Sequence, residues 1–346
     1  MFLRNCWYVA GWTRDVQGDA VVARKIIGDR VVLYRQPSGR LVALQDRCPH
    51  RHAPLSLGRI EGDTLRCMYH GLRFGADGRC VEVPGQDTIP AKACVRSYPV
   101  REAGCWIWVW MGDPEQADAA LIPPGLVGHD DPAWVLGGES LSYQANYELI
   151  NDNLLDLSHI SFVHRNTLAR QSLQWGETRP DTRELPRGVR VERWLRDDTA
   201  PAHCAPPPGE RFDRWTWYDY LAPGVFLLQS EYHAPGTAQA AGLRRPDGPR
   251  PRYVNLTQQA VTPVDERHTI YYFTAGHRPE DGYAGRTSLQ VAAVVKAFEE
   301  DRTVIEAQQK VIDELPPVPM VPTGADGAVT RFRRVMQRLM AEEAAS

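Results

Sequence analysis

The sequence lacks long hydrophobic runs and has little net charge. No stretch of about 18 uncharged apolar residues occurs, which argues against a membrane-spanning helix. The formal net charge is −3, which gives no electrostatic reason to expect a nucleic acid or an anionic membrane as partner. The first residues also lack the charged start and apolar middle of a secretion signal. We therefore expect a cytoplasmic protein.

Disulfide patterns and nucleotide-binding motifs are missing as well. The seven cysteines are odd in number and irregularly spaced, which argues against a disulfide framework. No Gly-x-Gly-x-x-Gly fingerprint or phosphate-binding loop is present, so we do not expect the chain itself to bind NAD or flavin. Any electrons for a redox reaction would then have to come from a separate protein.

Two short stretches carry the strongest chemical signal. Cys48 and His50 stand in the first, and Cys67 and His70 in the second. Two sulfurs and two ring nitrogens suit a [2Fe–2S] centre of the Rieske type, in which two cysteines hold one iron and two histidines the other. Structural zinc takes the same donor atoms, but zinc sites usually combine Cys-x2-Cys with a second such pair or with two histidines. The pattern therefore favours a Rieske cluster.

The chain divides by composition into two parts. Residues 21–46 read as short β-branched strands separated by turns, and strand-like segments continue to about Gly112. Residues 113–138 are rich in Pro, Gly, Asp and Ala, which is typical of a domain boundary. We predict an all-β domain over 1–112, with the cluster ligands on its loops, and a second domain over 113–346.

The second part mixes strands and helices. Residues 140–165 read as a strand that runs into a helix, and 212–234 and 252–277 read as strands of a twisted sheet. Residues 287–313 form the clearest helix, because apolar side chains recur on one of its faces. This mixture predicts an α+β fold for the whole chain.

A second metal site is indicated by the polar residues of 151–164. Apolar neighbours suggest a buried helix, in which an unpaired carboxylate or imidazole would be costly, and metal coordination removes that cost. His159 and His164 are five residues apart. This spacing fits one face of a regular helix poorly, so we expect the helix to end or bulge between them.

The best distant candidate for a third ligand is Asp301. Helical spacing turns it to the same side as Val294 and Ile305, whereas Glu299 and Glu300 are expected to face elsewhere. Two histidines and one carboxylate leave open positions on an iron, as in non-haem Fe(II) oxygenases. The alternative is that the histidines are satisfied core residues and Asp301 faces solvent.

Taken together, these motifs resemble the terminal oxygenase component of the Rieske non-haem iron oxygenases. They follow one another in order over nearly the whole chain, as Cys48-x-His50, Cys67-x2-His70, Asn153-x2-Asp156-x2-His159-x4-His164 and Glu300-Asp301. The length and the opening residues 5–10 resemble the vanillate demethylase and toluenesulfonate methyl-monooxygenase subgroup. The resemblance implies an N-terminal Rieske β-domain, a catalytic domain with an antiparallel sheet wrapped by helices, and a homotrimer.

The resemblance also implies a role for each motif residue. His159, His164 and Asp301 would hold a mononuclear Fe(II), and Asn153 would lie close to it without firmly ligating it. Asp156 would bridge His159 to a cluster histidine of the partner subunit and conduct electrons. One residue departs from the family pattern: His52 stands where the family commonly has glycine. The shape of that loop and the cluster potential therefore stay open.

The implied reaction is monooxygenation of a methyl or methoxy substituent on a small aromatic substrate. It would use O2 and electrons from a separate NAD(P)H-dependent reductase with flavin and an iron–sulfur centre. A ring-hydroxylating or angular dioxygenase remains an alternative, and so does a Rieske electron carrier without oxygenase activity. Candidate pocket residues are Trp175, Phe226, Tyr232 and Tyr271, and candidate anchors for an anionic substituent are Arg165, Arg170, His233 and His268.

Overall fold

The structure is a computed structural model that describes residues 1–169, 172–199, 210–248, 250–283 and 285–345. The chain forms two compact units. The first comprises Met1–Pro124 and Thr262–Asp265, and the second comprises Gly125–Val261 and Glu266–Ser346. The composition suggests a domain boundary after residue 112, and this boundary stays a prediction. No helix in the described part of the chain is long and apolar enough to cross a membrane.

The first unit is built from eleven short strands in three antiparallel sheets. Their orders are β1-β11-β10, β2-β3-β4-β9 and β5-β6-β7-β8. The strands are β1 Trp7–Trp12, β2 Val21–Ile26, β3 Asp29–Arg35, β4 Leu41–Gln45, β5 Arg59–Glu61, β6 Thr64–Arg66, β7 Arg73–Phe74, β8 Cys80–Glu82, β9 Ser97–Tyr98, β10 Val100–Ala103 and β11 Trp106–Trp110. The first pair of predicted cluster ligands follows β4, and the second lies between β6 and β7. Both pairs are thus on loops of a rigid sheet scaffold, as predicted.

The second unit contains one seven-stranded antiparallel sheet, in the order β12-β18-β17-β16-β15-β14-β13. Its strands are β12 Val135–Tyr143, β13 Asp181–Leu185, β14 Gly188–Thr199, β15 Arg211–Leu221, β16 Val225–His233, β17 Tyr253–Asp265 and β18 His268–His277. Its helices are α1 Tyr147–Leu155, α2 Ile160–Val163, α3 Gln174–Glu177, α4 Thr237–Ala240, α5 Arg286–Glu314 and α6 Gly327–Ala345. The predicted α+β class and the long helix over 287–313 are confirmed.

Helix α5, which carries Asp301, packs closely against β12. A Cβ atom added to Gly137 would lie 2.6 Å from Val291 Cγ2 and 2.8 Å from Thr287 Cγ2. Further along the same contact, Tyr143 Oη donates a 2.8 Å hydrogen bond to the Phe298 carbonyl. Because Gly137 has no side chain, α5 can approach the sheet closely. The hydrogen bond from Tyr143 fixes the position of α5 near Asp301.

We predict that Gly137→Ala lowers the stability of the second unit by about 1–3 kcal/mol, because overpacking forces the helix away from the strand. Thermal unfolding of the variant measures the loss. Ser140→Ala is the control, since Ser140 is exposed on the same strand, and it should leave the transition within about 0.5 kcal/mol of the parent. Equal stability of the Gly137 variant and the parent would contradict the close packing.

Candidate metal centres

The two cysteine–histidine loops of the first unit close in the same way. Cys48 N donates to the carbonyl five residues on, at Ala53, and the Cys48 carbonyl accepts from His52 N. Cys67 N likewise donates to the Leu72 carbonyl, and the Cys67 carbonyl accepts from Gly71 N. Each loop therefore makes a tight turn that directs one thiol inward and one imidazole outward.

The side chains on these loops meet in a pattern that fits a Rieske cluster. Cys48 and Cys67 are buried and in hydrogen-bond contact, whereas His50 and His70 are exposed with ring centroids 4.5 Å apart. Burial raises the pKa of the Cys48 thiol to about 11, and the neighbouring Cys67 adds to the rise. Two adjacent buried thiols become thiolates at neutral pH only when a cation such as iron stabilises them.

The matched turns place His52 at a position whose backbone conformation favours glycine. His52 has a φ of 58°, and the equivalent residue of the second turn, Gly71, has a φ of 76°. Both lie in the left-handed region, which favours glycine because it has no Cβ. In this chain the turn keeps its shape with histidine, whose ring nitrogens lie 3.1 and 3.2 Å from Arg47 Nη2.

The second cluster of polar residues lies where the first helix of the second unit breaks. Helix α1 ends at Leu155, and Asp156 leaves the helical conformation with φ −116° and ψ 89°. A 3₁₀ turn then carries His159, and α2 ends directly before His164. The predicted end of the helix between the two histidines is thus confirmed, and the earlier break at Asp156 is an additional feature.

Asp301 joins these histidines from helix α5. Its Oδ1 lies 3.5 Å from His159 Nε2, and its Oδ2 lies 3.2 Å from His164 Nε2. One ligand atom from each of the three residues falls within 4.8 Å of the others. Asn153 Nδ2 donates to Asp301 Oδ1 at 3.1 Å. The structure therefore brings together all four residues that the sequence proposed around a mononuclear metal.

The opposite ring nitrogens of both histidines have acceptors of their own. His159 Nδ1 lies 2.6 Å from the Asp156 carbonyl oxygen. His164 Nδ1 lies 2.9 Å from Glu300 Oε2, and Thr167 Oγ1 donates to the same oxygen at 2.7 Å. A proton on each Nδ1 leaves the Nε2 lone pair directed towards Asp301, which is the tautomer that ligates metals.

The expectation that Glu300 faces elsewhere is wrong. Asp301 contacts Nε2 of His164 while Glu300 contacts Nδ1 of the same ring, so consecutive residues of α5 hold one imidazole from two sides. Helical spacing misses this contact because it describes Cβ directions, whereas a glutamate side chain is long enough to reach around the helix.

Asp156 contacts His159 through its main chain. The carboxylate Oδ1 accepts a 2.9 Å hydrogen bond from Ser158 N and so caps the 3₁₀ turn. The side chain is half-buried, in contrast to Asp301, which is only 3% exposed. Within one chain, Asp156 therefore orients His159 with its carbonyl, and its carboxylate shapes the turn that presents the ring.

The two imidazoles have different electrostatic environments. Burial lowers the pKa of His159, and this effect outweighs the attraction of Asp301. Burial also lowers the pKa of His164, but Asp301 and Glu300 outweigh it and the net shift is upward. The dry surroundings of His159 favour the neutral ring, the form that binds a metal ion.

These residues form one wall of a cavity of about 130 Å³. The predicted pocket residues Trp175, Phe226 and Tyr232 line it. The prediction is wrong for Tyr271, whose hydroxyl instead donates to Gln259 Oε1 behind the wall. Five further polar residues line the cavity: Arg214, Asn255, Thr257, Gln259 and Gln290. None of them was predicted individually from the sequence, although residues 255–275 were expected to contribute to the pocket. The alternation of Asn255, Thr257 and Gln259 along β17 was the available signal for three of them.

Three of the four candidate anchors for an anionic substituent do not line this cavity. Arg165 is exposed. His233 lies 3.3 Å from a Glu231 carboxylate oxygen and packs on Trp194, while His268 is outside the cavity lining. Arg170 lies outside the described residues. The charged residue that reaches the cavity from the sheet is Arg214.

Comparison with known proteins agrees with this geometry. Residues 6–99 match the Rieske [2Fe–2S] domain, and residues 143–342 match the vanillate O-demethylase oxygenase C-terminal domain. The chain is 39% identical to the iron–sulfur subunit of the toluene-4-sulfonate monooxygenase system of Comamonas testosteroni, over 99% of this chain and 98% of that one. It is 33% identical to a vanillate O-demethylase oxygenase subunit of a Pseudomonas species, over 99% and 96% of the two chains.

A solved structure shows the same architecture over the full length. Dicamba monooxygenase bound to 3,6-dichlorosalicylic acid superimposes with a TM-score of 0.84 at 28% identity, covering 100% of this chain and 99% of that one. A match this long includes the whole second unit, so the similarity is not confined to the Rieske domain. The chain belongs to the vanillate O-demethylase oxygenase family and is a Rieske non-haem iron monooxygenase with a [2Fe–2S] cluster and a mononuclear iron.

Proposed function

We propose that this chain oxidises a methyl or methoxy substituent on a small aromatic ring, using O2 and electrons from a separate NAD(P)H-dependent flavin and iron–sulfur reductase. The observation that carries the proposal is the His159–His164–Asp301 cluster at the wall of an aromatic-lined cavity. A cavity of about 130 Å³ is close in size to engineered cavities of about 150 Å³ that bind benzene. One aromatic ring therefore fits.

The proposed ligands follow from the two sets of side chains. Cys48, Cys67, His50 and His70 hold the cluster, and His159, His164 and Asp301 hold the iron, with Asn153 fixing the Asp301 carboxylate. When bound, an Fe(II) with two imidazoles and one carboxylate supplies O2 activation at its open positions. The chain itself orients the imidazoles through Asp156 and Glu300 and surrounds the substrate ring with apolar side chains that exclude water.

We further propose a homotrimer in which electrons pass between subunits. Two exposed aromatic side chains support this arrangement. Tyr69 is 64% exposed beside the cluster histidine His70, and Phe162 is 69% exposed between the two iron histidines in sequence. If these two side chains lie at a subunit interface, Asp156, whose carbonyl oxygen contacts His159, offers its carboxylate to a cluster histidine of the partner subunit. A cytoplasmic location, where the reductase and its nucleotide are available, stays a prediction.

The relatives favour oxidation of a substituent over attack on the ring. Their names refer to toluene-4-sulfonate, which carries a methyl group, and to vanillate O-demethylation. In either case one oxygen atom of O2 enters the substrate and the other leaves as water, with two electrons from the reductase. A hydroxylated methyl group is stable as the alcohol, whereas a hydroxylated methoxy group releases formaldehyde and leaves a phenol.

Turnover under ¹⁸O2 tests the proposed reaction. With 4-methoxybenzoate and toluene-4-sulfonate as probes, we expect one labelled oxygen in formaldehyde or in the benzylic alcohol, and an intact aromatic ring. A cis-dihydrodiol that carries two labelled atoms would show the dioxygenase alternative instead. Formaldehyde is reduced at once to methanol, which keeps its oxygen atom, because the formaldehyde hydrate exchanges oxygen with water.

The Glu300–His164 contact predicts a difference between two adjacent glutamates. Glu300→Ala should weaken Fe(II) binding about 10- to 100-fold, because the acceptor that orients the ligand ring is lost. Glu299→Ala is the matched control, since Glu299 is half exposed and pairs only with Arg302 among the described residues. Anaerobic equilibrium dialysis measures the affinity, and the Rieske absorbance of both variants checks the fold. Equal affinities of the two variants would contradict the orienting role.

A further inference from the structure

Arg214 brings a permanent positive charge to the wall of the cavity. The residue is only 5% exposed, and an arginine side chain stays protonated even when it is buried. Its Nη2 lies 2.7 Å from Asp198 Oδ2. Asp198 is absent from the cavity lining, whereas Arg214 is part of it. The carboxylate therefore lies behind the guanidinium, and the cavity meets the positive partner of the pair.

Aromatic side chains and one hydroxyl hold this guanidinium in place. Its central carbon lies 4.9 Å from the ring centroid of Trp175 and 5.6 Å from that of Tyr232. Nη1 lies 3.3 Å from the Tyr232 hydroxyl oxygen, to which it donates a long hydrogen bond. Both rings also line the cavity. A substrate ring packed against them would therefore meet a positioned set of N–H donors.

A second cation lies near the same aromatic ring. A second buried guanidinium, that of Arg193, lies 5.2 Å from the same Trp175 ring centroid. Asp198 is at ion-pair distance from Arg214, and the negative charge of Asp156 also acts on Arg193. Burial lowers the pKa of Arg193, and the charge of Arg214 contributes to the shift. The two buried cations near the Trp175 ring favour a negative charge on the cavity side of Arg214, where water is largely excluded.

We propose that Arg214 determines substrate specificity by binding an oxyanion substituent, a carboxylate or a sulfonate, on the aromatic ring. The inference rests on the proposed function only in taking this cavity as the substrate site. A guanidinium matches the planar oxygens of a carboxylate and also reaches two oxygens of a sulfonate. A stabilising role alone is a weaker account, because buried ion pairs contribute little net stability.

Binding of matched anionic and neutral probes to the iron-loaded protein tests the proposal. The probes are 4-methoxybenzoate with 4-methoxybenzamide, and toluene-4-sulfonate with toluene-4-sulfonamide, and anaerobic calorimetry gives the dissociation constants. We expect Arg214→Gln to weaken binding of the preferred anion about 10- to 100-fold and that of its amide less than about threefold. The pair with the larger loss identifies carboxylate or sulfonate as the natural substituent.

Two further variants separate anion binding from a structural role. Asp198→Asn removes the negative charge that competes for Arg214, so anion binding should stay equal or become tighter. If the ion pair were purely structural, both Asp198→Asn and Arg214→Gln should weaken anion binding. Arg211→Gln is the matched control. Arg211 is on the same strand and pairs with Asp197 as Arg214 pairs with Asp198, but its side chain is 51% exposed. Its replacement should leave both classes of probe unaffected.

The outcomes distinguish this inference from the proposed function. Equal losses for anion and amide in Arg214→Gln, or a parent protein that binds the amide more tightly, would overturn the role of Arg214. Oxygenation of the neutral probes could still occur in that case. Conversely, selective anion binding that depends on Arg214, with no oxygenated product from any probe, would leave the inference standing and contradict the proposed reaction.

Discussion

The Asp301 carboxylate is enclosed between two imidazoles and is almost completely removed from water. Burying an anion is costly unless a cation or several hydrogen bonds compensate it. In this chain the compensation comes from the Asn153 amide and, in the active protein, from an iron that the two Nε2 atoms also bind. The surrounding structure serves the same arrangement. Gly137 lets α5 approach the sheet, and Tyr143 fixes the position of α5 by a hydrogen bond. The break in the helix at Asp156 turns His159 towards the carboxylate.

The cluster loops could be predicted from sequence because their information is local. Cys48 and His50 are two residues apart, and Cys67 and His70 three, so the spacing alone restricts the metals that fit. The left-handed turn at His52 could not be predicted from one sequence, since histidine adopts that conformation much less readily than the glycine of the second turn, Gly71. Only the geometry shows that the two positions are equivalent.

The iron site was predictable in part, because some of its residues belong to a local pattern in the sequence. Asp301 stands on the apolar face of a regular helix. The periodicity of the apolar residues therefore predicts from the sequence that this carboxylate is buried. Glu300 lies outside that pattern, and its contact with His164 depends on the reach of a flexible side chain. The carbonyl of Asp156 carries no sequence signal at all, because every residue has one. Arg214 looks like an ordinary strand arginine until the fold places it beside the cavity.

The central claim is that both metal centres of this protein act in one oxygenation reaction. A single-turnover experiment tests it most directly, with the cluster and iron fully reduced, the reductase removed, and O2 added together with 4-methoxybenzoate and toluene-4-sulfonate. The account predicts that the Rieske absorbance of the oxidised cluster returns as product forms, and that Asp301→Ala forms no product although its cluster can be reduced. Cluster oxidation at the same rate in both proteins, without product in either, would contradict the account.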